Sequence, residues 1–142
     1  MDKLLSLYQD LNDAGVRFYS WELHGDKAAT EKVAGHYGIF IDVNEIESRA
    51  DELVSVAHEG GHTSTGATHK LSSPYDLVEK HEVKAWKWAV QRVIPVEELD
   101  EAVAEGYTTV YDLADHFGVT EDFMKKAVCF YTHGNIAAEL YF

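Results

Sequence analysis

The residues with the clearest chemical content are His58-Glu59-Gly60-Gly61-His62. Two histidines four positions apart lie on one face of a helix, about one turn apart, so both imidazoles can bind a single metal ion. The glutamate between them can contact a metal-bound water. The spacing therefore predicts a metal-dependent hydrolase in which His58 and His62 bind the metal and Glu59 is the catalytic base.

A histidine pair at this spacing can also belong to an ordinary helix surface. However, Leu53, Val54 and Ala57 place the motif on the buried stripe of its helix, where histidines need polar partners. Gly60 and Gly61 together cost a helix about 2 kcal/mol relative to alanine. Such a cost indicates that a neighbouring strand or a substrate backbone approaches closely. Both observations favour the metal site.

Glu82 is the candidate third ligand. It shares a helical stripe with Ala85, Trp86 and Ala89 at the i, i+3, i+4 and i+7 positions. A carboxylate with such neighbours needs a charged partner or a metal ion, although a plain surface acid is the alternative and Glu79 flanks the same face. Two histidines and one glutamate leave a fourth position for water, which is typical of catalytic zinc.

The predicted cofactor is therefore Zn²⁺. In this hypothesis zinc polarises the scissile carbonyl and lowers the pKa of its water, while Glu59 takes the proton and delivers it to the leaving amine. Tyr75, His69 and His81 are candidates for stabilising the transition state or contacting the substrate. The single cysteine, Cys129, excludes an internal disulfide and a Cys-rich zinc finger, which favours a catalytic metal.

The segments before the motif predict a helix and a small sheet. Apolar residues at helical spacing indicate a first helix over residues 2–13. Alternating and β-branched residues then predict strands at 16–21 and 37–41, with a weaker strand at 30–33 and a hairpin turn at 34–36. We expect a sheet of two or three strands.

Capping signals place the motif in a helix. Ser48 and Asp51 resemble a capping box, so a helix begins there, carries both histidines and ends near Gly66. Pro74 is favoured in the first turn of a helix, so a second helix covers residues 75–93 until the next proline stops it. This second helix carries Glu82.

Glycines divide the rest of the chain into short helices. The pattern predicts three of them, at residues 96–105, 110–117 and 121–131. The glycine turn between the last two is typical of a helix-turn-helix. We therefore predict an α+β fold: a zincin-like domain with a small β-sheet at residues 1–94, and an all-helical, helix-turn-helix-like appendage at 95–142.

Composition narrows the location and the partners. The chain has 142 residues, 46% of them hydrophobic, and no apolar run of the ~20 residues that a membrane span needs. With no signal-peptide pattern at its start, it is expected to be cytoplasmic and free of membrane contact. Its net charge of −13 argues against direct nucleic-acid binding. The acidity could steer a basic protein substrate, or it could simply maintain solubility.

Several blocks of the sequence resemble the ImmA/IrrE family of zinc metallopeptidases, particularly its short prophage and mobile-element forms. The blocks are YGIFID at residues 37–42, AHEGGH at 57–62, SPYDL at 73–77, HEVKAWKWA at 81–89 and IP at 94–95. The HExxH element alone is shared by many zinc peptidases, but the glutamate block followed by Ile-Pro is much more specific. The resemblance covers nearly the whole chain, including the segment from 113 to 119 and the helix after it.

The resemblance implies a gluzincin-like endopeptidase that cleaves a helix-turn-helix repressor and so derepresses a prophage, a mobile element or a stress regulon. It also implies that Glu82 completes the metal site. Two positions depart from the family: Gly60 stands where a bulky aliphatic residue is common, and Trp86 where an Asp or Asn often supports the site. Both departures predict weaker metal binding or activity.

These departures leave a second hypothesis, in which the fold survives as a non-proteolytic antirepressor or binding module. The carboxy-terminal helices resemble the family's helix-turn-helix appendage. Their last helix begins with the acids Glu121 and Asp122, which would repel phosphates. We therefore expect this appendage to pack or to dock substrate rather than to bind DNA.

Overall fold

The computed structural model describes residues 2–68 and 73–142, and in these ranges the chain has an α+β fold. The helices there are α1 (Lys3–Asp13), α2 (Arg49–Thr65), α3 (Tyr75–Val93), α4 (Val96–Ala104), α5 (Val110–Phe117) and α6 (Glu121–His133), with a short 3-10 turn at Ala138–Leu140. The strands are β1 (Arg17–Ser20), β2 (Ala28–Val33) and β3 (His36–Ile41). Within the described ranges, the longest helices are still too short or too polar to cross a membrane.

The sheet is mixed, with β3 at its centre. It has the order β1-β3-β2, and β3 pairs with β1 in parallel and with β2 in antiparallel register. The central strand is the most apolar of the three, and Ile39 is fully buried. The turn after β2 uses left-handed backbone at Ala34 and Gly35, as expected for a tight hairpin. The predicted small sheet is confirmed, and β2 lies at one edge of it.

Helix α2 begins and ends where the capping signals indicated. The Ser48 side chain accepts the backbone N–H of Asp51, and Gly66 ends the helix with left-handed backbone at φ 68°. The face that carries Val56, Ala57 and the glycine pair is buried. The position of the histidine motif on a largely buried helix is therefore confirmed.

Helices α2 and α3 touch through their backbones. A Cβ atom added at Gly61 would lie 2.3 Å from the carbonyl oxygen of Ala85. At Gly60 the nearest atoms are instead side-chain ends, 3.0 Å away on Leu11 and 3.3 Å away on Trp88. The close neighbour is therefore a helix, and the strand or substrate backbone expected from the sequence was the wrong partner for Gly61.

The carboxy-terminal helices continue the core of the first part. Helix α6 packs on α3, and buried Phe123, Met124 and Ala127 belong to the same hydrophobic cluster as residues of α1, α2 and β3. The hydroxyl of Tyr131 donates to the carbonyl of Ile94 at 2.7 Å, which ties α6 to the end of α3. Helix α6 extends two residues beyond the predicted end because Gly134 supplies the left-handed cap. The division at residue 95 stays a prediction.

We expect Gly61→Ala to lower the free energy of unfolding by about 1–3 kcal/mol, because the new methyl group would force α3 away from α2. This change is the net effect, because the steric cost of the methyl group outweighs the gain of about 1 kcal/mol that alanine brings to a helix. Urea unfolding followed by circular dichroism measures the difference. Gly60→Ala is the matched control, since flexible side chains can move aside there. Equal stability of the two variants would contradict the close backbone contact.

Candidate metal centre

Three side chains from α2 and α3 converge as the sequence predicted. His58, His62 and Glu82 each offer one ligand atom, and these atoms all lie within 4.8 Å of one another. The Nε2 atom of His58 is 2.7 Å from Oε2 of Glu82, and Nε2 of His62 is 3.0 Å from Oε1 of the same carboxylate. The three residues therefore form a possible metal-binding triad.

Both imidazoles are held with Nε2 facing the carboxylate. Nδ1 of His62 lies 2.7 Å from the backbone carbonyl of Ala67, which can only accept, so this nitrogen carries the proton. Nδ1 of His58 lies 3.1 Å from Oε2 of Glu59. Such contacts orient each ring so that Nε2 faces Glu82, as the partners of metal-bound histidines do. The donor set of two imidazoles and a carboxylate fits a divalent transition metal.

Close contacts between the acidic groups and the imidazoles shift the pKa values of His58, His62 and Glu82. Burial lowers the pKa of His58, but hydrogen bonds and charges from Glu59 and Glu82 outweigh this and raise it to about 9. Burial likewise lowers the pKa of His62, and the contact with Glu82 reverses the shift upwards. For Glu82, burial raises the pKa, but hydrogen bonds to both histidines bring it well below its usual range. A metal ion would take the place of protons shared by this cluster.

Glu59 is buried next to His58 and is held by Thr30, a residue outside the sequence motif. Its Oε1 accepts a hydrogen bond from the Thr30 hydroxyl at 2.8 Å. Thr30 lies on β2, 29 positions earlier in the chain, so no local pattern could have identified it. The strand thus positions the carboxylate that was predicted to be the general base.

Trp86 supports His58 in a way that was not expected. Its ring stacks on the imidazole of His58 with centroids 4.0 Å apart and planes 9° apart. The ammonium of Lys126, on α6, lies 4.8 Å from the Trp86 ring centroid, within cation–π distance. Trp86 therefore restricts the His58 ring by packing, while Glu59 contacts the Nδ1 atom that a supporting acid would otherwise hold.

The sequence also predicted site roles for Tyr75, His81 and His69. Tyr75 is 76% exposed, and its hydroxyl donates to Glu79 at 2.9 Å, one turn further along α3. His81 is half-buried and is not among the described residues that line the pocket next to His58, His62 and Glu82. His69 lies outside the described residues. The roles assigned to Tyr75, His69 and His81 stay predictions.

The triad opens into a cleft of about 390 Å³ between α2, α3 and the edge strand β2. Ala28, Ala29, Thr30 and Glu31 line one side of it, and His58, Glu59, His62 and Glu82 line the other. The three potential ligand residues therefore face a cleft that also borders β2.

No protein-family model, curated protein or solved structure matches the chain. The site is therefore interpreted from its own residues. The resemblance to the ImmA/IrrE family rests on the sequence blocks described above.

We expect the metal-free protein to bind one Zn²⁺ per chain, and His62→Ala or Glu82→Ala to weaken binding by at least about tenfold because each removes a ligand. Isothermal titration with Zn²⁺ as the probe measures this. Glu101→Ala removes an exposed carboxylate from α4 and serves as the control. Unchanged affinity of the Glu82 variant would remove that residue from the metal site.

Proposed function

We propose that this protein is a zinc-dependent endopeptidase that cleaves a helix-turn-helix transcriptional repressor in the cytoplasm. The observation that carries the proposal is the shared cleft. Three potential ligand atoms lie within 4.8 Å of one another, and the buried residue Glu59 lines the same cleft.

The residues of the cleft suit hydrolysis of an amide. Zinc, when bound, supplies a Lewis acid that polarises a carbonyl and makes water a better nucleophile at neutral pH. Glu59 then accepts the proton of the attacking water and passes it to the departing amine. Thr30 holds Oε1 of Glu59, and Oε2 of the same carboxylate lies 3.1 Å from Nδ1 of His58. Nε2 of each histidine faces Glu82, because its Nδ1 atom contacts an oxygen on the opposite side of the ring.

Strand β2 provides a surface for an extended substrate. It pairs with β3 along one edge, and among the described residues no strand pairs with its other edge. An extended peptide can add to such an edge through backbone hydrogen bonds. A peptide bound along β2 would pass across the cleft, because residues 28–31 form its wall.

The family resemblance suggests that the substrate is a repressor, and the net charge of the chain supports this. A chain with a net charge of −13 attracts basic proteins, and proteins that bind DNA carry basic surfaces. The same resemblance suggests that α2, α3 and the sheet form a zincin-like unit and that α5 and α6 form a helix-turn-helix-like pair. We infer that cleavage derepresses a prophage, a mobile element or a stress regulon.

A non-proteolytic antirepressor was the alternative, and it rested on Gly60 and Trp86. In the fold, Gly60 packs against Leu11 and Trp88, and Trp86 stacks on His58. Neither residue disturbs the arrangement of the triad. The two departures from the family pattern therefore give no specific support to the loss of catalysis.

We expect Glu59→Gln to retain zinc but to lower the rate of repressor cleavage by about 10²–10⁴-fold, because the amide cannot accept the proton of water. The substrates are purified helix-turn-helix repressors, beginning with those encoded beside the gene. Fragments are followed by gel electrophoresis and mass spectrometry, with and without a chelator.

Glu101→Gln makes the same chemical change on an exposed part of α4 and should cut like the parent. If Glu59→Gln also cuts like the parent, Glu59 is not the general base. If the zinc-loaded parent binds the repressor tightly and leaves it intact, the antirepressor hypothesis replaces the peptidase.

A further inference from the structure

A second depression, which we call the α3 groove, lies on the other side of Glu82 from the metal cleft. It has a volume of about 880 Å³ and runs between the outer face of α3 and the segment 135–139 that follows α6. Glu82 lines both the cleft and the groove. The two depressions therefore meet at the side chain of Glu82.

The floor of the α3 groove is apolar and its rim is acidic. Val83, Trp86, Ile136 and Ala137 supply apolar surface, and Val83 remains 39% exposed. Asp76, Glu79 and Glu139 are exposed carboxylates along the same depression, and Lys80 is the only basic residue among its described lining. This combination suits a large apolar side chain with a positively charged neighbour.

Trp86 belongs to the α3 groove and also contacts the metal centre. Trp86 forms part of the floor and also stacks on His58. Because His58 and the Lys126 ammonium already contact this ring, a bound side chain would pack on the ring edge, next to a predicted metal ligand. Residues this close to the metal would flank the bond that is cut.

The wall opposite α3 is held in place before any ligand binds. The Asn135 side chain accepts the backbone N–H of Ala137 at 2.9 Å and contacts Cys129 Sγ at 3.3 Å. Further along, the rings of His133 and Tyr141 stack with centroids 3.8 Å apart. A preformed wall lowers the entropic cost of binding a side chain.

We propose that the α3 groove binds a large apolar side chain of the substrate, next to the scissile bond and flanked by a basic residue. This inference rests on the proposed function for the position of the scissile bond, but binding in the groove can be measured without cleavage. In this proposal Val83 and Ile136 select the apolar side chain, and Glu79 and Glu139 select the basic residue beside it.

The test uses zinc-loaded full-length Glu59→Gln protein, so that bound peptides stay intact. The probes are fluorescein-labelled nonapeptides of one glycine-serine sequence whose central residues are Lys-Phe-Lys, Lys-Ser-Lys, Glu-Phe-Glu or Glu-Ser-Glu. Fluorescence anisotropy measures their affinity. We expect Lys-Phe-Lys to bind about tenfold or more tightly than each of the other three.

Variants then locate the binding surface. Val83→Asp should weaken Lys-Phe-Lys binding about tenfold or more and remove the preference for Phe over Ser. Val103→Asp makes the same change on α4, at a side chain that is 46% exposed, and should have no effect. Circular dichroism and zinc content confirm that both variants are folded and loaded.

Charge variants separate the rim from the general acidity of the chain. The double change Glu79→Gln with Glu139→Gln should reduce the preference for Lys over Glu, whereas Glu101→Gln with Glu105→Gln removes the same charge elsewhere and should preserve it. Equal effects of the two doubles would mean that only the net charge attracts the peptide, which overturns the assignment of the rim.

The outcomes distinguish this inference from the proposed function. If the parent enzyme cuts repressors but Val83→Asp changes neither peptide affinity nor the sites cut, the groove assignment is wrong and the peptidase stands. If Lys-Phe-Lys binds selectively through Val83 but no repressor is cut, the peptidase is wrong and the groove remains a peptide site. If all four peptides bind equally or none binds, the groove assignment is overturned.

Discussion

The contact between Gly61 and the backbone of Ala85 sets the geometry on which the metal centre depends. Because no Cβ separates the two helices, α3 approaches α2 closely enough for the short Glu82 side chain to reach both imidazoles. Glu82 lies one turn before Ala85, and His62 directly follows Gly61, so the helix contact also fixes their relative heights. A wider helix spacing would leave Glu82, His58 and the buried His62 without these partners in a largely desolvated position.

The two histidines and the carboxylates of Glu59 and Glu82 are held both by their charges and by the side chains packed around them. Without metal, the negative charges of Glu59 and Glu82 are balanced by protons on the histidines, which is why the pKa of His58 rises to about 9 despite its burial. A bound divalent ion would replace those protons and relieve the desolvation cost of the carboxylates. Thr30 and Trp86 limit how far the charged groups can rotate, so the site is organised before the ion arrives.

Local patterns in the sequence predicted much of this arrangement. The capping residue Ser48, the helix stop at Gly66 and the inward stripe that carries Glu82 all depend on near neighbours, and the corresponding helices formed where expected. Long-range contacts were not predictable in this way. The Thr30 hydrogen bond, the helix partner of Gly61 and the α3 groove each join segments far apart in the chain, and sequence spacing carries no information about such pairings.

We propose that His58, His62 and Glu82 hold one zinc ion with a position left for water. The decisive measurement is zinc K-edge X-ray absorption of the stoichiometrically loaded protein. We expect nitrogen and oxygen ligands at about 2.0–2.2 Å with outer-shell scattering from two imidazoles, and the loss of one imidazole contribution in His62→Ala. A sulfur ligand at about 2.3 Å, or a zinc shell without imidazole scattering, would contradict it.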